Sequence, residues 1–209
     1  MQRLLSAVVA IWLWATPLAA STLYVRVVDG NGRPVSDAVV TLRPVGGPPV
    51  APRAVASQAV EQRNLQFRPF VTIVPVGGTV TFLNFDATRH HVYSFSAPKR
   101  FEFKLFARDQ SRSITLDKPG TIAIGCNIHD QMSAFLFVTD TAWTARTGKD
   151  GSVTFRDAPA GPVTIKLWHP FLRAPDATVS RQVALSAAAH SESFAVKLRA
   201  PPMHDMGGY

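Results

Sequence analysis

The pattern of apolar and polar positions predicts short β-strands along most of the chain. Residues 101–105, Phe-Glu-Phe-Lys-Leu, alternate apolar with charged side chains, as a strand with one buried face does. Other apolar runs of similar length are separated by turn signals rich in Gly, Pro, Asn and Asp. No long stretch has the spacing of an amphipathic helix. The pattern therefore predicts an all-β protein built from sandwiches.

The expected strands fall into three blocks. A first block, residues 22–45, is followed by a linker rich in Pro and Gly. A middle block covers about residues 54–139, and a third covers 144–198. The clearest strand signals are at residues 23–28, 35–42, 70–74, 79–85, 91–95, 101–105, 113–116, 121–125, 153–155 and 163–168.

A short loop within residues 120–138 carries the most informative chemistry. Cys126, His129 and Met132 lie in it, each three residues from the next. Thiolate, imidazole and thioether are soft ligands, and two His with one Cys and a weak axial Met suit a blue-copper electron-transfer site. The set lacks one imidazole, which must come from elsewhere in the chain.

Two adjacent histidines upstream, His90 and His91, are the candidates for that imidazole. Strand alternation favours His91, because it would share a face with Tyr93 and Phe95. The same alternation places Cys126 on one face with the core-type residues Ile122 and Ile124, as a buried thiolate ligand would be. The residues alone leave the choice between the two histidines open.

The loop Cys126-Asn-Ile-His129-Asp-Gln-Met132 resembles the ligand loop of the amicyanin-like cupredoxins, and residues 84–92 resemble the segment that presents their first His. The resemblance covers about residues 54–139. It implies a Greek-key sandwich that holds one type 1 copper ion through His90, Cys126 and His129, with Met132 axial. It also implies an electron carrier with a redox-protein donor and acceptor, and not an enzyme.

Two positions depart from that family. The first His is usually followed by Asn and Val, which favours His90 as the ligand and places His91 where the Asn would be. The backbone N–H of His91 is then expected to donate to the Cys126 sulfur. Ile128 replaces a usual Pro and has a backbone N–H that proline lacks, so it is a second candidate donor. We expect that donor to favour Cu(I) and to raise the reduction potential.

The two flanking blocks together resemble the small transthyretin-like sandwich known as the carboxypeptidase regulatory-like domain. The resemblance lies in residues 27–42, 147–155 and 158–165. It predicts that residues 22–45 and 144–198 pack together, with the copper domain inserted between them. The alternative is two unrelated β additions that flank the copper domain.

The two ends of the chain suggest an exported protein. Residues 1–20 have one charge, an apolar run and small residues at the end, the layout of a secretory signal peptide. This predicts a periplasmic location with no membrane span after cleavage; an uncleaved N-terminal anchor is the alternative. Residues 201–209 are expected to form a flexible tail, although Met203, His204 and Met206 could bind Cu(I).

Charge and cysteine content limit the function further. The formal net charge of +8 becomes +7 without residues 1–20, which favours acidic partners. Lys99, Arg100 and Lys104 are candidates to attract them. The basic residues are scattered and form no nucleic-acid signature. A single Cys excludes a disulfide within the chain. Two alternatives to an electron carrier remain open, a copper-delivery protein with the same ligands and a non-redox scaffold module.

Overall fold

The structure, a computed structural model, describes residues 20–46, 50–52 and 57–200. The predicted signal peptide, apart from Ala20, and the predicted tail lie outside the described residues. In the described part the all-β prediction is confirmed, since the single helical segment there is a short 3-10 turn at Pro175–Ala177. The described part contains no helix with the length and apolar character needed to cross a membrane.

The central sandwich consists of two facing sheets. One contains, in spatial order, β4 (Phe67–Arg68), β3 (Gln58–Gln62), β6 (Thr79–Asn84) and β9 (Ser111–Thr115). The other contains β5 (Val71–Pro75), β11 (Ser133–Thr139), β10 (Gly120–Cys126), β7 (His90–Ser94) and β8 (Phe101–Phe106). Their inner faces meet in one apolar core, which includes Phe82, Ile122 and Leu136.

A second sandwich is built from strands on both sides of the central one in sequence. One sheet has the order β13 (Ser152–Pro159), β1 (Ala20–Asp29) and β16 (His190–Val196). The other has the order β12 (Thr144–Arg146), β2 (Val39–Pro44), β14 (Gly161–Trp168) and β15 (Thr178–Leu185). Strands from residues 20–44 and 144–196 thus share two sheets and one core. The domain boundaries themselves stay a prediction.

An apolar contact joins the two sandwiches. Trp168, at the end of β14, packs against Phe135 and Phe137, with ring centroids 5.7 and 5.5 Å apart. These two phenylalanines lie on the outer face of β11, because its alternate residues point into the central core. The second sandwich therefore covers the outer face of the five-stranded sheet at β11 and β5.

The main differences from the predicted strands have local causes. β2 begins at Val39 and not at Val35, because Asp37 has a φ of 61° that interrupts an extended strand. β3, β4, β12, β15 and β16 were not predicted. Several of these are short or have polar, half-exposed sequences, so the apolar pattern along them is weak.

The Gln62 side chain in the central core has no hydrogen-bond partner in the described part of the chain. The amide of Gln62 is fully buried at the end of β3, and neither its Nε2 nor its Oε1 has a hydrogen-bond partner among the described residues. A buried polar group without a partner carries a desolvation cost.

We expect Gln62→Leu to raise the free energy of unfolding of the metal-free protein by about 1–3 kcal/mol, because it removes both unpaired atoms at similar volume. Urea denaturation of the variant beside the wild type measures this change. Gln66→Leu, at an exposed position of the following turn, is the control and should change stability by less than about 0.5 kcal/mol. A loss of stability in Gln62→Leu would contradict the expectation.

Candidate metal centre

The candidate centre lies at one edge of the five-stranded sheet. β10 ends at Cys126 and runs antiparallel to both neighbours, β7 and β11. The end of β10 therefore lies beside the start of β7, where His90 is, and beside the start of β11, which follows Met132. The loop between β10 and β11 carries His129. Strand pairing thus brings four residues from two distant parts of the chain to one edge.

The described structure gathers one thiol and two imidazoles at this edge. Sγ of Cys126 lies 3.8 Å from Nδ1 of His90 and 3.5 Å from Nδ1 of His129. One ligand atom from each of the three residues lies within 4.8 Å of the others. Cys126 is 4% exposed and His90 is fully buried. Three donor groups therefore converge at a point that solvent hardly reaches.

These separations are those of ligands around one transition-metal ion. Bonds of about 2.3 Å to sulfur and 2.0 Å to nitrogen, at angles near 115°, place the two ligand atoms about 3.6 Å apart. The observed S–N distances of 3.8 and 3.5 Å bracket that value. A thiolate with two imidazoles suits copper, and a weak axial thioether completes a blue-copper set. The donor atoms present therefore fit the implied copper ion.

Asp86 fixes the tautomer of His90. Its Oδ2 lies 2.9 Å from Nε2 of His90. Burial alone would raise the pKa of Asp86, but hydrogen bonds from His90 and from the backbone N–H groups of Leu65 and Asn64 outweigh it and hold the pKa below its usual value. The carboxylate is thus ionised at neutral pH, and Nε2–H of His90 donates to it. The lone pair of a neutral His90 is then on Nδ1, the atom that faces Cys126.

The turn between β3 and β4 holds the Asp86 carboxylate in place. The backbone N–H groups of Asn64 and Leu65 donate to its two oxygens, at 2.6 and 3.1 Å. Both residues have positive φ, 55° and 54°, which directs consecutive N–H groups to one side of the turn. On the other side, the Asp86 N–H donates to Oδ1 of the buried Asn84. A hydrogen-bond network therefore connects His90 through Asp86 to the turn after β3 and to Asn84 at the end of β6.

Backbone hydrogen bonds close the ligand loop. The N–H of Met132 donates to the carbonyl of His129 at 2.9 Å, and the N–H of Cys126 donates to the carbonyl of Met132 at 3.1 Å. Met132 is 1% exposed and belongs to the same core cluster as Cys126. The loop therefore buries the thioether on the core side and leaves His129 half-buried near its tip.

The His129 imidazole favours its neutral form. Burial lowers its pKa below the usual value of 6.5, the neighbouring His90 lowers it further, and the Asp86 charge only partly opposes both. A neutral imidazole has the lone pair that a metal needs. Because the pKa is lowered, this form persists to a lower pH than for a free histidine.

The structure separates the remaining candidates from the centre. His91 points to the other side of β7, where its Nε2 lies 2.8 Å from Oε1 of Glu102. Ile128 is 48% exposed, and no described hydrogen bond joins its N–H to the Cys126 sulfur. The roles of both as donors to the sulfur stay predictions. Met203, His204 and Met206 lie outside the described residues.

Asp86 is a residue of the site to which the sequence analysis assigned no role. It lies four residues before His90, within the segment already singled out. A carboxylate near a candidate His ligand is a usable signal, because ligand histidines commonly donate their second N–H to one. The two backbone donors at residues 64 and 65 have no such signal in the sequence.

Comparisons with known proteins give weak matches. No family model matches the chain, and neither does any curated protein. Among solved structures, the chain is similar to a copper-containing nitrite reductase from Thermus scotoductus SA-01, with 24% identity and a TM-score of 0.38. The match covers 55% of this chain and 28% of that one, so it spans about a quarter of the reductase.

Two smaller proteins match over nearly their whole length. A purple cupredoxin from Nitrosopumilus maritimus has 18% identity and a TM-score of 0.36, over 39% of this chain and 99% of that one. A reduced amicyanin variant has 24% identity and a TM-score of 0.38, over 48% and 98%. The likeness to cupredoxins seen in the sequence is thus found among solved structures too. Scores this low carry no argument about function, which has to come from the geometry of the site.

We expect Asp86→Asn to weaken Cu(II) binding by about 10–100-fold, because the variant loses the charged partner that orients His90. A competition titration against a chelator measures the affinity. Asp117→Asn, which removes an exposed carboxylate paired with Lys99, is the matched control and should leave the affinity unchanged. Equal affinity in both variants would contradict the role of Asp86.

The stability of the Asp86→Asn variant should depend on pH differently from that of the wild type. Since the pKa of Asp86 is lower in the folded protein than the ordinary 3.8, its charge stabilises the fold above that pH, and the contribution is lost as pH falls through the folded pKa. The metal-free Asp86→Asn protein should therefore be less stable than the wild type at pH 7, and the difference should shrink in acid. Denaturation curves of both proteins at pH 7 and at a pH below 3.8 measure this difference.

Proposed function

We propose that the chain is a periplasmic type 1 copper protein that carries single electrons between redox proteins. The observation that supports this best is the approach of two imidazole Nδ1 atoms to a buried thiol, at 3.8 and 3.5 Å, in a chain with one Cys. A structural cysteine in an apolar core needs no imidazoles around it. A carrier is preferred to an enzyme because the side chains of His90, Cys126 and Met132 are buried.

His90, Cys126 and His129 would hold the copper ion, and the thioether of Met132 would supply the weak fourth ligand. In such a site the copper ion supplies reversible one-electron chemistry. The protein keeps the ligands in position in both oxidation states. The Asp86 hydrogen bond holds the His90 ring, and the two backbone bonds of the loop hold Cys126 and Met132. Held ligands move little when the charge of the ion changes, so electron transfer needs little rearrangement.

The half-buried His129 is the proposed contact with partners. It lies next to Ile128, which is 48% exposed, and His90 is fully buried. An imidazole edge with an apolar neighbour gives a partner a short route to the ion. The net charge of +8 supports acidic partners, although Lys99 already forms an ion pair with Asp117.

The proposal predicts an intense visible absorption band on addition of Cu(II), from charge transfer between the Cys126 thiolate and copper. The purified protein is titrated beside a Cys126→Ser variant, which keeps the volume but replaces the soft ligand. The band should be absent in the variant. Weak copper binding without the band in the wild type would overturn the proposal, and rapid loss of Cu(I) to a chelator would favour copper delivery.

Ile128→Pro tests the effect of having Ile128 where the similar ligand loop usually has Pro. If the Ile128 N–H donates to the thiolate in the copper-loaded protein, its removal leaves more charge on sulfur, stabilises Cu(II) and lowers the reduction potential. Ile128→Ala keeps the N–H and is the control. Voltammetry of both variants gives the result, and the hypothesis fails if Ile128→Pro shows no downward shift relative to Ile128→Ala.

A further inference from the structure

The turn that follows β14 takes part in the contact between the two sandwiches. It is closed by the N–H of Leu172, which donates to the carbonyl of His169 at 2.9 Å. Phe171 in this turn stacks on Phe70, with ring centroids 5.9 Å apart and ring planes inclined by 27°. Phe70 lies immediately before β5 in the central sandwich, and its ring also contacts Phe135 of β11 at 5.5 Å. The conformation of the turn therefore decides whether Phe171 reaches the central sandwich.

A buried histidine holds this turn. His169 is 6% exposed, and its ring centroid lies 5.7 Å from that of Phe171. Its Nδ1 accepts a hydrogen bond from the backbone N–H of Phe171 at 3.2 Å. A neutral imidazole that accepts at Nδ1 has its hydrogen on Nε2, which is then the donor to the backbone of Ser36. The observed hydrogen bonds thus belong to the neutral ring.

The surroundings of His169 also favour the neutral ring. Burial lowers its pKa below the usual 6.5, and the Asp37 charge and the Ser36 hydrogen bond oppose this only in part. The Asp37 carboxylate is itself paired with Arg146. The other segments at the turn are the 3-10 turn, whose Ala177 carbonyl accepts from the N–H of His169, and the chain after β16. They carry three exposed cations and one exposed carboxylate, namely Arg173, Lys197, Arg199 and Asp176.

We propose that His169 is a pH-dependent switch of the contact between the two sandwiches. A proton from solvent binds Nδ1 and converts this atom from an acceptor into a donor, which then faces the donor N–H of Phe171. The turn loses this hydrogen bond, and Phe171 separates from Phe70. Acid thereby loosens the second sandwich from the outer face of the central one. The inference goes beyond the proposed electron-carrier function and does not depend on copper binding.

NMR spectroscopy of the metal-free protein tests the switch at the atoms involved. At neutral pH the ring nitrogens of His169 should show the hydrogen on Nε2, and a nuclear Overhauser contact should join the rings of Phe70 and Phe171. As the pH falls through the titration midpoint of His169, which we expect below 6.5, the N–H signal of Phe171 should shift and the ring contact should disappear. A ring contact that persists after His169 has bound its proton would overturn the proposal.

His169→Gln separates the charge of the side chain from its hydrogen bonds. Glutamine offers an acceptor for the Phe171 N–H and a donor for the backbone of Ser36, but it binds no proton in this pH range. The contact of Phe171 with Phe70 should therefore persist in acid. His190→Gln, which removes a histidine at the start of β16, is the matched control and should lose the contact at the same pH as the wild type. Loss at that pH in His169→Gln would assign the transition to another group and contradict the proposal. If this variant does not fold, the wild-type titration decides.

The pH dependence of stability gives an independent test. Below pH 6.5 the unfolded chain binds a proton at residue 169 that the folded protein does not bind until its lower pKa is reached. In this window, acid should raise the unfolding equilibrium constant of the wild type relative to that of His169→Gln by up to about tenfold per pH unit. His129 and Asp86 are present in both proteins, so their contributions cancel in the ratio. Urea denaturation of the two metal-free proteins measures it, and a ratio that stays constant below pH 6.5 would refute the switch.

Discussion

The centre depends on the antiparallel pairing of β10 with β7, which brings Cys126 next to His90 although 36 residues separate them in sequence. The short loop can place His129 and Met132 near Cys126 by itself. It cannot supply the second imidazole. The cluster of one thiol and two imidazoles therefore forms only when the sheet has formed, so the fold and the candidate site are specified together.

Burying an imidazole and a thiol side by side has a cost that the protein has to offset. A buried polar group without a partner is destabilising. The Asp86 carboxylate accepts from His90, and two backbone N–H groups and the Asn84 network support the carboxylate. Gln62, also buried in this core, has no such partner among the described residues. Within this core, the His90 imidazole therefore has hydrogen-bond support that the Gln62 amide lacks.

The sequence predicted the features that depend on local pattern. Alternation and turn signals were sufficient for the all-β class, and the period of two correctly placed Cys126 on the core face with Ile122 and Ile124. Alternation also placed His91 with Tyr93 and Phe95. That face is the outer one, so the pattern that favoured His91 describes a side chain pointing away from Cys126. Which face of a strand is the inner one depends on tertiary packing, which alternation alone does not give.

Other parts of the site could not be predicted, because they depend on contacts between distant segments. The turn at Asn64 and Leu65 contains no glycine that would indicate its positive φ values in the sequence. Its N–H groups reach Asp86 only because β3 pairs with β6, the strand that precedes Asp86. Likewise, Gly125 gives no positive-φ signal. The space that a side chain would need at Gly125 is taken by the Tyr93 ring of a neighbouring strand.

The second sandwich determines which part of the outer face stays open. Trp168 packs against Phe135 and Phe137, so part of the outer face of β11 and β5 is covered by the second sandwich. Tyr93 and Phe95 lie on the same face of the sheet, at β7, which is two strands from β11 and three from β5. Phe95 is exposed. An aromatic ring that only filled a core would have been covered in the same way. The exposure of Phe95 beside a partly covered surface, and its contact with the Tyr93 ring, distinguish this part of the sheet.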